Sequence, residues 1–214
     1  MTRTDAPVAA TRLRSLRLAP AYVVVVTTVR IAICAAAGAA SGTALVQAAS
    51  TNVVNLAHGR LGTLLLSAFV LEGRSCLPAL LALGVVLGIA ELAWGGMVLA
   101  GVFLYGHVVA TLLVFAGLVA GLSLHRLCQD LAGAADVGPS YGAVAVAGAL
   151  LATPALPHAR LWRAAAASVA LAVALLDRTF TDGGHLVSLL LGFAIGGRLE
   201  GVRGARGPAA TPAG

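Results

Sequence analysis

The sequence predicts an all-α fold, a polytopic membrane bundle of six transmembrane helices, on three observations: its apolar content, the length of its apolar runs and the placement of its arginines. Of 214 residues, 59% are hydrophobic and 10% charged, against about 25% charged in soluble domains. A span needs about 20 apolar residues. The chain therefore has room for five or six spans in one membrane domain, expected over 21–199.

Every basic residue is arginine, and the formal charge is +6. The arginines fall between apolar runs instead of forming one patch, which argues against a nucleic-acid partner and makes them markers of orientation. Cys34, Cys76 and Cys128 lack CxxC spacing, so neither a disulfide framework nor a structural metal site is expected. A Cys76–Cys128 bridge on the outer side stays open. No metal and no cofactor are predicted.

Residues 1–20 carry Arg3, Arg12, Arg14 and Arg17 with Pro7 and Pro20 and read as a cytoplasmic tail. Span one is expected over Ala21–Val46, with Arg30 snorkelling or facing another helix, because a charge in lipid is costly. Residues 47–75 are mixed, and their apolar stretch Leu61–Leu71 is too short to cross, which predicts a re-entrant or interfacial segment.

Spans two and three are expected at Cys76–Trp94 and Met97–Leu122, divided by Trp94-Gly95-Gly96. Gly84, Gly88 and Glu91 share one face of span two. The polar cluster His125-Arg126-Leu127-Cys128-Gln129-Asp130 reads as a loop, since two potential metal ligands at i, i+3 lack a third. Span four is expected over Ser140–Thr153, span five over Ala164–Leu176, and span six from His185 to Ile195. Residues 200–214 read as a disordered tail rich in glycine, proline and alanine.

Six crossings put Arg3, Arg12, Arg14, Arg17, Arg160, Arg163, Arg198, Arg203 and Arg206 on one side. The other side holds Arg60, Arg74, Arg126 and Arg178. The first side is then cytoplasmic, with both termini, in a multi-pass cell-membrane protein.

Ser140 and His185 therefore start helices from the outer face. A serine becomes a nucleophile when a base takes its proton, and a neutral imidazole is a suitable base near pH 7. With Pro139 at the first helical position, the backbone amides of Ser140 and Tyr141 would be free to hold an oxyanion. Ser188, Gly192 and Gly196 follow His185 at near-helical spacing, and Gly138 and Gly142 flank the serine; this is a small-residue pattern for close helix packing. The blander alternatives are a serine that caps its helix and a histidine that anchors at the interface.

These motifs resemble the rhomboid intramembrane serine proteases. Gly138-Pro139-Ser140-Tyr141-Gly142 is similar to that family's Gly-x-Ser-Gly with a tyrosine added or substituted. His185-Leu186-Val187-Ser188 with Gly192 and Gly196 is similar to its last helix. Glu91-Leu92-Ala93-Trp94-Gly95 is similar to its Glu-x-x-x-Gly, and 47–75 to its long first outer loop. The resemblance, over 60–198, implies a Ser140–His185 dyad that cleaves single-span membrane proteins near the outer face, reached through a cavity beneath the 47–75 segment.

The departures lie around the oxyanion. Where the family has a histidine and, four residues on, an asparagine, this chain has Cys76 and Leu80, which offer a weak donor and none. Gly62-Thr63 stands where the family has tryptophan and arginine. Losing one such donor costs about a hundredfold to a thousandfold in rate. The alternatives are a pseudoprotease that binds client transmembrane helices without cutting them, and a small transporter using Arg30, Glu91 and His107. In each case the lipid bilayer is a partner.

Overall fold

The structure, a computed structural model, describes residues 16–36, 39–73, 76–153 and 158–205, with the side chains of 39–41 and 200–205 outside the description. The expectations for residues 1–15, Arg74, Pro154, Pro157 and 206–214 lie outside the described residues. In chain order the helices are α1 (Leu18–Ala36), α2 (Ala39–Ala49), α3 (Val53–Ala57), α4 (Thr63–Leu66), α5 (Cys76–Trp94), α6 (Gly96–Ser123), α7 (Ser140–Leu151), α8 (Ala159–Asp177) and α9 (Phe180–Ala205). Short 3-10 turns occupy Ser67–Phe69 and Gln129–Gly133.

By length and composition α1, α5, α6 and α8 can each cross a membrane. Helix α7 is apolar but has 12 residues, about 18 Å of rise, well short of the roughly 30 Å hydrocarbon core. It is instead the most enclosed helix, packed along α9 and α6. Val146 and Ala149 of α7 join Leu83, Leu87 and Ala90 of α5 and Leu99, Val102 and Phe103 of α6 in the main core. By contrast α8 buries only Ala159, and its Trp162, Val169 and Leu176 face outward.

The described residues of the predicted first span are helical on both sides of 37–38, in α1 to Ala36 and in α2 from Ala39. Helix α1 begins at Leu18, within the predicted tail, because the Glu91 carboxylate accepts from the Arg17, Leu18 and Ala19 amides at 3.0, 2.8 and 2.8 Å. These are the donors that a helix start leaves unpaired. Gly95 sits at φ +83 between α5 and α6, and its N–H reaches the Glu91 carbonyl at 2.8 Å. That left-handed conformation suits glycine at the end of a helix.

The 50–73 segment folds back on the bundle in short turns. Asn52 caps α3 by accepting from the Asn55 N–H at 2.8 Å, and Asn55 Nδ2 donates to the carbonyls of Gln47 and Ser50, both at 2.8 Å. Leu61, Leu65 and Leu66 face outward while Ser67 and Ala68 are buried. Tyr22 of α1 donates to the Ala68 carbonyl at 2.6 Å. Arg30 donates to the carbonyls of Leu71 and Gly73 at 3.3 and 3.0 Å, so it ties α1 to the end of this segment.

The last helix starts at Phe180, before the expected His185, and runs to Ala205, into the predicted tail. The early start has a cap: the Asp182 N–H donates to Thr179 Oγ1 at 3.1 Å, and the Thr179 hydroxyl donates back to the Asp182 carboxylate. The first of these bonds is an N-cap; the second ties the two side chains together. The early start places His185 in the second helical turn. The cysteines Cys34, Cys76 and Cys128 are all free, so the open Cys76–Cys128 bridge is not formed.

Candidate functional site

Helix α7 starts at Ser140, as the span expectation has it, with Pro139 at φ −73, ψ 0 in the cap position instead of the first helical position. The first intrahelical bond runs from the Ala143 N–H to the Pro139 carbonyl at 2.9 Å. The amides of Ser140 and Tyr141 thus precede any i−4 partner. No side chain caps this end, so the Ser140 hydroxyl is not a cap. Gly138, at φ +132, turns the chain into the helix, and its N–H donates to the Ser67 carbonyl at 2.9 Å.

Helices α7 and α9 meet along a seam of small residues. The Ser188 hydroxyl donates to the Tyr141 carbonyl. A Cβ on Gly192 would come within 2.2 Å of the Ala145 carbonyl oxygen, and one on Gly196 within 2.4 Å of that of Ala149. The recess at Gly142 is filled from the other side, by the Phe103 ring of α6.

This close seam brings Tyr141 to His185. Their ring centroids are 5.4 Å apart at 75°, an edge-to-face contact of a kind aromatic pairs favour. His185 Nδ1 faces Asp182 Oδ1 at 3.8 Å, while its Nε2 is buried with no hydrogen-bond partner. No hydrogen bond joins Ser140 to His185. The two residues also line different cavities. Ser140 lines a space of about 400 Å³ with Leu71, Glu72, Leu83 and Val86. His185 lines a cleft between α7, α8 and α9.

A second set of polar residues, which the sequence reading mostly passed over, gathers under the 50–69 segment. Ser67 Oγ and His107 Nε2 are hydrogen-bonded at 3.1 Å, both side chains buried. His107 and Thr111, one turn apart on α6, line a tight chamber with Thr51, Asp136, Ser140 and Tyr141. From sequence alone His107 is an intramembrane polar residue that suits a transporter. Its spacing from Thr111 at i, i+4 was the available signal. From Phe69 the aromatic contacts continue through Tyr22, Phe103, His107 and Tyr141 to His185, with centroids 5.1 to 6.4 Å apart.

Asp136 holds the loop before α7 against residues 50–52. Its N–H donates to Ser50 Oγ at 2.8 Å, its carbonyl accepts from the Thr51 N–H at 3.0 Å, and its carboxylate accepts from Thr51 Oγ1 at 3.2 Å. Burial pushes the Asp136 carboxyl above the usual carboxylate range, against the opposing effect of the Thr51 bond. The Tyr141 hydroxyl approaches this carboxylate without reaching hydrogen-bond geometry.

Cys76 and Leu80, the substituted oxyanion positions, lie at the start of α5, where the Cys76 thiol donates to the Gly73 carbonyl at 2.9 Å. Among the described residues, no three His, Cys, Asp or Glu side chains converge as metal ligands.

The apolar helices make this a membrane protein. A family model described as "Rhomboid-like protein" matches residues 15–205, spanning the 50–73 segment, the Ser140 turn and the His185 helix. Searches of curated proteins and of solved structures return no match. The chain belongs to the rhomboid-like protein family.

Proposed function

We propose that this chain is a rhomboid-like protein that holds the transmembrane helices of client proteins without cleaving them. The observation that carries the reading is the partner of His185. Tyr141 meets its ring, while Nε2 has no hydrogen-bond partner, so the base is not engaged with Ser140. A serine without a base to take its proton is a weak nucleophile. Six crossings, α1, α5, α6, α7, α8 and α9, with both termini cytoplasmic, fit the arginine distribution. In this reading residues 1–20 and 200–214 flank one membrane domain, and Ser140 and His185 face the outer side.

A second reading is an intramembrane serine endopeptidase in which Ser140 is nucleophile, His185 base, and the Ser140 and Tyr141 amides hold the oxyanion. It is favoured by the start of α7, where no side chain caps the helix and the Ser140 and Tyr141 amides precede its first intrahelical bond. A fluorophosphonate probe separates the two. The first reading expects no serine adduct on the wild type in bilayers, and a single-span test protein that co-purifies uncut. An adduct that disappears in both Ser140→Ala and His185→Ala would establish the endopeptidase instead.

A further inference from the structure

Thr111 is buried, and its hydroxyl has no hydrogen-bond partner. A threonine in an apolar helix can donate back to the carbonyl one turn earlier. Thr27 and Thr28 of α1 do so, to the carbonyls of Val23 and Val24 at 2.7 and 2.8 Å. Thr111 forgoes that bond and lines the tight chamber under the 50–69 segment. The Tyr141 hydroxyl, on the same chamber, is also buried without a partner. A third unpaired atom there, His107 Nδ1, approaches the Leu64 carbonyl short of hydrogen-bond geometry. A buried hydroxyl left unpaired is costly, so two of them on one chamber point to a guest.

The lining selects its chemistry. Beside Thr111 and Tyr141 stand Asp136 and Thr51, joined from the Thr51 hydroxyl to the carboxylate at 3.2 Å. One carboxylate and three hydroxyls are oxygen ligands, which suit a hard cation. Of the lining residues Asp136 is the one acid, and none is an arginine. A single carboxylate balances a single positive charge, whereas a divalent ion would leave a buried charge uncompensated.

Size narrows the choice further. The chamber is too tight for a water molecule, which sits about 2.8 Å from each oxygen it bonds. A cation of calcium's size holds oxygens at roughly 2.3–2.6 Å. Among monovalent ions sodium has that size, and potassium is larger. In sodium-free salt a proton takes the place of the ion, since burial already raises the Asp136 carboxyl. The pH dependence of the fold is then that of this one carboxyl.

We propose that Thr51, Thr111, Asp136 and Tyr141 form a sodium site that ties the 50–52 turn and the loop before α7 to α6 and α7. The site stands whether or not the protein cuts its clients. Its ligands are hydroxyls around one carboxylate, so no spacing of cysteine, histidine or acidic residues marks it in the sequence.

The test uses the full chain in detergent at about pH 8, where the proton competes least, with sodium exchanged for choline at constant ionic strength. Radioactive sodium should bind at one ion per chain, and the unfolding midpoint should rise with sodium until the site saturates. Asp136→Asn should abolish both effects. Thr111→Val and Tyr141→Phe keep the shape and remove one oxygen each, and each should weaken binding by about tenfold or more. These two variants carry the test if Asp136→Asn fails to fold. The assignment is overturned if no sodium binds, if the midpoint is the same in sodium and choline, or if potassium raises it equally. It is also overturned if folded Thr111→Val and Tyr141→Phe proteins bind sodium as the wild type does.

Discussion

Gly184 of α9 and Tyr141 of α7 occupy one shared volume: a Cβ at 184 would stand 2.5 Å from the Tyr141 hydroxyl and ring. The absence of a side chain at 184 is what lets the tyrosine ring stand edge-on to His185. Gly184→Ala must push the ring away, an overpacking change that typically costs about 1–3 kcal/mol. Tyr141→Ala should cost about 3–5 kcal/mol as a buried aromatic truncation. In the Tyr141→Ala background, however, Gly184→Ala should cost almost nothing. Detergent unfolding of the four proteins measures the coupling, and strictly additive losses would show that the two positions do not compete.

The seam below that contact makes a sharper contrast. Gly192→Ala and Gly196→Ala drive a methyl into backbone carbonyls of α7, which cannot rotate away as a side chain would. Each is expected to lose more than about 2 kcal/mol. Gly197, one residue on, would have nothing within 4 Å of its Cβ and lies in the same helix. Gly197→Ala should gain up to about 1 kcal/mol from helix propensity. Equal effects at 196 and 197 would mean that the seam does not set the stability.

Much of this was legible in the sequence because lipid imposes simple rules. Cys76–Trp94 and the Ser140 start of α7 have the expected bounds, each having a punctuating neighbour: Gly95 in one case, Gly138-Pro139 in the other. Less legible was everything decided by a polar side chain reaching across the fold. Glu91 reads as one acidic residue on a glycine face, yet it starts α1 from more than seventy positions away. His107 sits in an unbroken apolar run, and no periodicity indicates that Ser67 will lie against it. The order within Ser140-Tyr141 was equally hidden: adjacent helical residues point about 100° apart, so only the packing of α9 decides which of them meets His185.

Glu91 supplies the third expectation. Three amide donors converge on its buried carboxylate, and hydrogen bonds to a charged group contribute about 1.5–3 kcal/mol. Glu91→Gln keeps the shape, loses the charge and offers one acceptor oxygen in place of two. A loss of about 1–2 kcal/mol is expected, with about 3 kcal/mol for Glu91→Ala, which leaves all three donors unpaired. Hydrogen exchange should locate the damage at residues 17–22. Protection unchanged there in Glu91→Ala would refute the capping role.

Asp136 makes the fold sensitive to pH. It lies in the loop before α7, and burial raises its carboxyl above the ordinary 3.8. The native state therefore keeps this proton at pH values where the unfolded chain has released it. Its contribution to stability is full below the ordinary value, falls as pH rises from there through the raised native value, and is flat beyond. Asp136→Asn cannot ionise, while its amide oxygen can still accept from Thr51 Oγ1. The difference in unfolding midpoint between wild type and Asp136→Asn should thus grow in the variant's favour across that window and level off above it. Comparing the two proteins cancels the titration of every other carboxylate. A difference that stays constant from pH 4 to 8, or that moves in favour of the wild type, would mean that Asp136 is ionised in the fold at no cost.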